Sequence, residues 1–88
     1  MTKNIILLGD KTSHGGTVIT ATSDIIINGK RAAKIGDLVN CPQKGHGTNA
    51  IIEGTINFTC QGIPIAINGS KTECGCYLIA SITEFNLG

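Results

Sequence analysis

Apolar residues along the chain occur in short runs that are rich in β-branched side chains, and glycine or polar turn residues separate them. Short apolar runs bounded by turn residues are typical of β-strands, and no segment of about eleven residues or more shows the spacing of an amphipathic helix. Asn28-Gly29 is a strong signal for a tight hairpin turn. The pattern therefore predicts an all-β fold built from short hairpins. The runs are NIILL, TVIT, DIII, AIIE, IPIAI and YLIAS.

The chain also contains an internal repeat. When residues 51–74 are placed on residues 18–41, six positions are identical, among them two glycines, an alanine and a cysteine. The segment 9–14 has the form of a shortened first copy that keeps only the end of the unit. A repeat at a fixed period indicates copies of one supersecondary unit. The matches pair Ile19, Thr22, Gly29, Ala33, Gly36 and Cys41 with Ile52, Thr55, Gly62, Ala66, Gly69 and Cys74.

Each of the three copies ends in a side chain that binds metal ions. The sequences GDKTSH, GDLVNC and GSKTEC close on His14, Cys41 and Cys74, and rotation about one axis would bring these residues together. His46 follows Cys41 in the loop CPQKGHG, whose proline and glycine allow the chain to double back. Two imidazoles and two thiolates suit a closed tetrahedral zinc site, whereas soft thiolates disfavour Mg²⁺ and Ca²⁺. The predicted ligands of one structural Zn²⁺ ion are His14, Cys41, His46 and Cys74.

The two remaining cysteines have other predicted roles. Cys60 falls on Ile27 in the repeat, so we expect a buried thiol in apolar surroundings. Cys76 lies two residues after Cys74, and on a strand both side chains would face the same side. Cys76 can therefore be an alternative metal ligand or can form a redox pair with Cys74. The repeat favours Cys74 as the ligand, because Cys74 falls on Cys41 and Cys76 does not.

Composition and charge argue against several classes of function. Seven basic residues against six acidic ones give a net charge of +1, and the aromatic residues are one tyrosine and two phenylalanines. These values disfavour nucleic acid or an anionic membrane surface as a partner. The N-terminus has four consecutive large apolar residues, whereas a signal peptide needs about 7–15. We therefore expect no signal peptide and a protein that starts in the cytoplasm, where cysteines are reduced or bound to metal.

The sequence offers no evident catalytic set. Ser13 adjoins His14, but a serine nucleophile needs a base and a third group that orients the base. A zinc ion with four protein ligands has no open position for water. We therefore expect a protein without enzymatic activity. The alternatives to a purely structural role are a small cytosolic zinc-binding adaptor and a redox protein that uses Cys74 and Cys76.

Several blocks of the sequence resemble the PAAR-repeat proteins. INGKRAAKIGD at residues 27–37 is similar to the stretch that names the family, with Arg31 in place of its proline and Lys34 in place of its arginine. Four further blocks occur in the family's order, and the resemblance extends from about residue 7 to residue 81. Members commonly have a small residue at position 76, which also supports Cys74 as the ligand. The four blocks are GDKTSHGG, CPQKGHG, IIEGT and SKTECGCYLIAS.

The resemblance implies a small cone-shaped all-β fold with internal pseudo-threefold repeats and one zinc ion near the apex. Such proteins cap a trimeric β-helical spike, one tip per trimer, and sharpen it for membrane puncture. The spike is the valine-glycine repeat (VgrG-like) protein of type VI secretion systems or its counterpart in contractile phage tails.

The same resemblance sets expectations for location and domain organisation. The tip would assemble in the cytoplasm and leave the cell or virion with the spike, so that membrane contact is transient. Any effector would be separate cargo. Residues 1–88 would form a single domain with a core at about 7–81 and no toxin extension.

Overall fold

The computed structural model describes residues 4–27, 29–42 and 47–81. Within these residues the secondary structure consists of short strands and turns without a helix, which confirms the all-β prediction. The described residues therefore include no helix that could span a bilayer. The strands are β1 (Lys11–Thr12), β2 (Thr17–Val18), β3 (Ile26–Ile27), β4 (Lys30–Arg31), β5 (Leu38–Cys41), β6 (Gly47–Ala50), β7 (Thr55–Cys60), β8 (Ile63–Ile65) and β9 (Leu78–Ile79).

Three equivalent turns organise the chain, at residues 7–10, 34–37 and 67–70. In each, the amide of the fourth residue donates to the carbonyl of the first, at 2.9 to 3.0 Å. The side-chain oxygen of the fourth residue, from Asp10, Asp37 or Ser70, accepts from the amide of the first at 2.8, 2.9 and 3.0 Å. The third residue is a glycine with φ of 89°, 96° and 91°, as a type II turn requires. The repeat seen in the sequence is therefore a structural repeat, and its first copy contains a complete turn.

The segments that lead into these turns join in a closed triangle. The amide of Ile6 donates to the carbonyl of Ala66 at 3.0 Å, Ala66 donates to Ala33 at 2.9 Å, and Ala33 donates to Ile6 at 2.9 Å. A cyclic set of nearly equal bonds is what a pseudo-threefold axis through one chain produces. Three antiparallel bridges flank the ring, and they join Ile5 to Ile67, Leu7 to Ala32 and Lys34 to Ile65.

Beyond each turn the chain forms a hairpin, and the three hairpins close a small barrel. β1 pairs with β2, β5 pairs with β6, and a bridge between Lys71 and Tyr77 forms the third hairpin. Neighbouring hairpins meet through β2–β5 and β1–β9, and a bridge between Ile51 and Thr72 closes the circle. The apolar core of this barrel consists of Ile6, Val18, Ala33, Val39, Ile51, Ala66 and Leu78.

A second apolar cluster lies on the other face of the triangle. Because neighbouring residues of an extended segment point to opposite faces, Ile6 enters the barrel while Ile5 and Leu7 enter the second cluster. Cys60 is buried there, as predicted. The cluster contains Ile5, Leu7, Ala32, Cys60 and Ile65, with Ile25, Ile27 and Phe58 packed against it.

Two further hairpins cover this second cluster. β3 pairs with β4 in a register that places Ile27 opposite Lys30, which confirms the hairpin predicted there; Asn28 itself lies outside the described residues. β7 pairs with β8, and the turn residues Gln61 and Gly62 connect the two strands. The φ angles of these two residues, 53° and 80°, are both positive.

The molecule measures 34 × 24 × 24 Å along its principal axes, and the equal transverse dimensions agree with a threefold arrangement. We call the end formed by residues 13–16, residues 73–76 and the end of β5 the tip end. We call the end formed by the hairpins β3–β4 and β7–β8 the base end.

Candidate metal centre

The three barrel hairpins carry their candidate metal-binding residues at the same position. We call the three equivalent turns at residues 7–10, 34–37 and 67–70 the core turns. Four residues after the end of each core turn stands one of His14, Cys41 and Cys74. His14 and Cys74 lie in hairpin turns, whereas Cys41 is the last residue of β5. Equivalent positions in three copies around one axis converge, and for this reason the tip end brings together residues that are distant in sequence.

Main-chain contacts between neighbouring hairpins hold the tip end together. In each copy, the residue before the metal-binding position pairs with the returning strand of the next copy. The three contacts are the Ser13 amide to the Tyr77 carbonyl at 2.9 Å, the Glu73 amide to the Ala50 carbonyl at 3.0 Å, and the Thr17–Asn40 strand pair.

Four donor atoms form a compact cluster at the tip end. One atom each from His14, Cys41, Cys74 and Cys76 lies within 4.8 Å of all the others. The distance from His14 Nδ1 to Cys41 Sγ is 3.4 Å, and that from Cys74 Sγ to Cys76 Sγ is 3.3 Å. Tetrahedral zinc, with bonds of about 2.0–2.1 Å to nitrogen and about 2.3 Å to sulfur, separates such ligands by about 3.6–3.8 Å. The cluster therefore has the dimensions and the chemistry of a four-coordinate metal site.

A sequence model of the PAAR motif matches residues 8–80, which include all three hairpins and every cysteine of the chain. The chain belongs to the PAAR motif family. This confirms the family resemblance seen in the sequence blocks. A search of curated proteins found no match.

Three of the four predicted ligands meet in this PAAR protein. His14, Cys41 and Cys74 belong to the cluster, whereas His46 lies outside the described residues and stays a prediction. The fourth donor of the cluster is Cys76. The sequence repeat favours Cys74 over Cys76 as a metal ligand, but the cluster contains both. The hairpin turns of the first and third copies have the same main-chain hydrogen bonds, and the first has glycine at the position of Cys76. The repeat therefore gave no signal for a metal ligand at that position. The two-residue spacing from Cys74 was the available signal.

Hydrogen bonds around Cys74 favour its thiolate. Burial raises the pKa of the Cys74 thiol, but hydrogen bonds from Thr72, from the backbone and side chain of Cys76 and from Cys41 outweigh it and lower the pKa to about 5. Burial raises the pKa of Cys76, and the neighbouring Cys74 adds to that rise. Because metal ions bind thiolates, a bound cation would favour the deprotonated form of both side chains.

The environment of the two thiols is polar. Thr72 Oγ1 lies 3.3 Å from Cys74 Sγ and 2.9 Å from Cys76 Sγ. The Cys74 amide donates to Asn49 Oδ1 at 3.3 Å, and this bond connects the turn of the third hairpin to β6. The sulfur–sulfur distance of 3.3 Å exceeds the roughly 2.05 Å of a disulfide, so Cys74 and Cys76 are a pair of thiols.

The serine beside His14 has a structural partner. Ser13 Oγ accepts a hydrogen bond from the Tyr77 amide at 3.1 Å, while His14 Nδ1 faces Cys41 Sγ. These contacts orient both side chains within the tip end. The arrangement suits metal binding, because an imidazole nitrogen and three sulfurs point to one volume.

Proposed function

We propose that this PAAR protein is a structural, non-catalytic tip that caps a trimeric β-helical spike and sharpens it for membrane puncture and effector delivery. The observation that carries the proposal is the closed triangle of Ile6, Ala33 and Ala66, which places three equivalent units of one chain around one axis. A spike trimer presents three identical chains around its own axis. One tip per trimer satisfies both symmetries without a second copy of the tip.

One Zn²⁺ ion is proposed to stabilise the tip end. His14, Cys41 and Cys74 would hold the ion together with a fourth ligand, for which the sequence predicts His46. The bound ion would cross-link all three hairpins, and structural zinc contributes on the order of 10 kcal/mol of apparent folding free energy. That contribution is large for a domain of this size, which is marginally stable without such a cross-link.

The base end offers a surface that suits a protein partner. Ile26 on β3, Ile56 on β7 and Ile63 on β8 have exposed fractions of 57%, 85% and 37%. Both hairpins are two-stranded, so they can extend the β-structure of a partner through their edges. We therefore place the spike contact at the base end, opposite the metal.

We also propose the life cycle that membership of the PAAR family suggests. The protein would assemble on the spike in the cytoplasm and leave with it, in a type VI secretion system or a contractile phage tail. Contact with a membrane would be transient, and effectors would travel as separate cargo. In this proposal residues 1–88 act as a single PAAR domain.

Native mass spectrometry with a recombinant trimeric β-helical spike protein from the same organism tests the proposal. We expect a complex of one tip and one trimer. Ile56→Asp at the base end should weaken binding about tenfold or more, because it places a charge in a buried contact. Ile79→Asp is the matched control, since Ile79 is 42% exposed on β9 of the barrel. A complex with three tips per trimer, or no complex, would contradict the proposal.

A further inference from the structure

We propose that the thiolate of Cys76 is the fourth ligand of the metal, so that three sulfurs and one nitrogen hold the ion. The sulfurs belong to Cys41, Cys74 and Cys76, and the nitrogen belongs to His14. The inference rests on the metal centre proposed above and specifies its ligand set.

The distances place Cys76 inside the cluster. Its Sγ lies 3.3 Å from Cys74 Sγ, and its distances to the His14 and Cys41 donors stay within 4.8 Å. Two sulfurs on one tetrahedral zinc are separated by about 3.8 Å, so Cys74 and Cys76 need to move apart by only about half an ångström. The Cys74–Cys76 separation is therefore within about half an ångström of the separation that zinc requires.

The backbone of the third hairpin makes room for this thiol. Gly16 and Cys76 are equivalent, because their carbonyls accept from the Thr12 and Thr72 amides at 3.0 Å in both cases. A Cβ atom at Gly16 would lie 1.7 Å from the carbonyl oxygen of Asn40, so the first hairpin accepts only glycine. The third hairpin holds a side chain at the same position, and that side chain is a thiol.

The surroundings of Cys76 differ from those of a cysteine that serves as an apolar core residue. Cys60 packs among isoleucine, leucine and alanine in the second apolar cluster. Cys76 is only 1% exposed but belongs to neither apolar cluster, and it faces Thr72 Oγ1 and Cys74 Sγ. A fully buried thiol among polar and metal-binding atoms is best satisfied by a shared cation.

The ligand set has a chemical consequence. Three thiolates and one neutral imidazole give a zinc centre with a net charge of −1 and a strong preference for thiophilic metals. Four donors complete a tetrahedral coordination sphere, so in this proposal the ion binds without His46.

Zinc-edge X-ray absorption spectroscopy of the unmodified protein tests this inference directly. We expect three sulfur neighbours at about 2.3 Å and one nitrogen neighbour at about 2.0–2.1 Å. Two sulfurs and two nitrogens would overturn the assignment of Cys76 but would leave the proposed metal-stabilised tip intact. A protein that carries no metal would overturn both.

Cobalt-substituted variants identify the sulfur. Cys76→Ala should lower the sulfur-to-cobalt charge-transfer absorption by about one third, because one of three metal–sulfur bonds is lost. Cys60→Ala is the matched control and should leave the absorption unchanged, since Cys60 lies in the second apolar cluster. An unchanged spectrum of Cys76→Ala would overturn the inference.

A further variant separates the two candidates for the fourth ligand. His46→Ala should retain the metal and the full sulfur-to-cobalt absorption. Loss of the metal from this variant would overturn the inference in favour of the ligand predicted from the sequence. The absorption-edge measurement decides the question even if a variant does not fold, because it uses the unmodified chain.

Discussion

At the scale of single residues, the three copies differ mainly in what fills equivalent positions of their hairpins. The position four residues after each core turn holds His14, Cys41 or Cys74, and each of these side chains can bind a metal ion. Two positions further on, the first copy has Gly16 and the third has Cys76. These substitutions leave the shared main-chain geometry of the first and third tips intact, with amide-to-carbonyl bonds of 3.0 Å in both. The first and third hairpins therefore share a main-chain geometry and differ in the chemistry of their side chains.

Removal of a thiol ligand should have the largest effect on stability. Cys41→Ala deletes a buried sulfur of the cluster. We expect its melting temperature to fall to about that of the chelator-treated parent, because metal binding is worth on the order of 10 kcal/mol of folding free energy. Thermal unfolding with and without chelator measures the effect.

Cys60→Ala provides the control for that experiment. Cys60 is also buried but lies in the second apolar cluster, so this variant should keep its sensitivity to chelator. If Cys41→Ala responded to chelator as strongly as the parent does, Cys41 would not be a ligand.

Alanine substitutions at two glycines distinguish the energetic cost of steric crowding from the cost of backbone strain. A Cβ at Gly16 would meet the Asn40 carbonyl oxygen at 1.7 Å, whereas a Cβ at Gly9 would meet nothing within 4 Å. Gly9 has a φ of 89°, so Gly9→Ala carries only a conformational cost of about 1–2 kcal/mol. Gly16→Ala should cost more than about 3 kcal/mol, because the backbone itself must move. Urea unfolding measures both, and equal costs would show that the tips are more loosely packed than described.

The sequence allowed the prediction of some of these residues but not of others. The repeat identified His14, Cys41 and Cys74, because each closes a copy of the same turn. It gave no reason to include Cys76, since the first copy cannot hold a side chain there. That restriction comes from the close approach of Asn40, which belongs to a different hairpin. Contacts between copies are not visible in the sequence of one copy.

At the scale of elements, the three core turns share one set of main-chain bonds but differ in the side chain that closes them. Asp37 accepts from the Lys34 amide and from three further donors on Thr20 and Thr22, at 2.9 to 3.2 Å. Ser70 accepts only the amide of Ile67, at 3.0 Å, among the described contacts. The second turn therefore also fixes the segment that leads to the base end.

This difference predicts unequal costs for two alanine substitutions. Asp37→Ala should destabilise the fold by about 3 kcal/mol, because it leaves several donors without an acceptor. Ser70→Ala should cost about 1 kcal/mol, because it leaves one. Both residues are buried, so the comparison is matched in exposure. Chemical unfolding curves give the values, and a larger cost for Ser70→Ala would contradict this account of the turns.

Turn chemistry explains which elements were predictable. Asn28-Gly29 predicted the β3–β4 hairpin, because this dipeptide suits a two-residue connection. The letters ING recur at 67–69, but there Gly69 is the third residue of the turn at 67–70 and does not form a two-residue hairpin connection. The β7–β8 connection uses Gln61-Gly62 with positive φ at both residues, and glutamine gives little local signal for that conformation.

At the scale of the whole molecule, the closed triangle divides the protein into a barrel with the candidate metal centre and a base with two hairpins. The triangle is held by main-chain bonds of 2.9 to 3.0 Å between equivalent residues. The tip end is held by similar bonds, and a metal ion bound by the four clustered donors would add a cross-link between the hairpins. Metal removal should therefore act unequally along the axis.

Hydrogen exchange can measure that inequality. After chelation we expect the amides of Ser13 and Glu73 at the tip end to lose protection, because the cross-link between hairpins is gone. The amides of Ile6, Ala33 and Ala66 should stay protected longer, since their ring does not involve the metal. A uniform loss of protection would show that the two ends unfold as one unit.

The central claim is that the hairpins of three copies meet at one metal ion. Elemental analysis of protein purified without added metal tests it most directly. The account predicts one zinc ion per chain, lost on treatment with a strong chelator together with a large fall in melting temperature. A protein without metal, whose four cysteines all react readily with a thiol reagent and whose stability is insensitive to chelator, would contradict it.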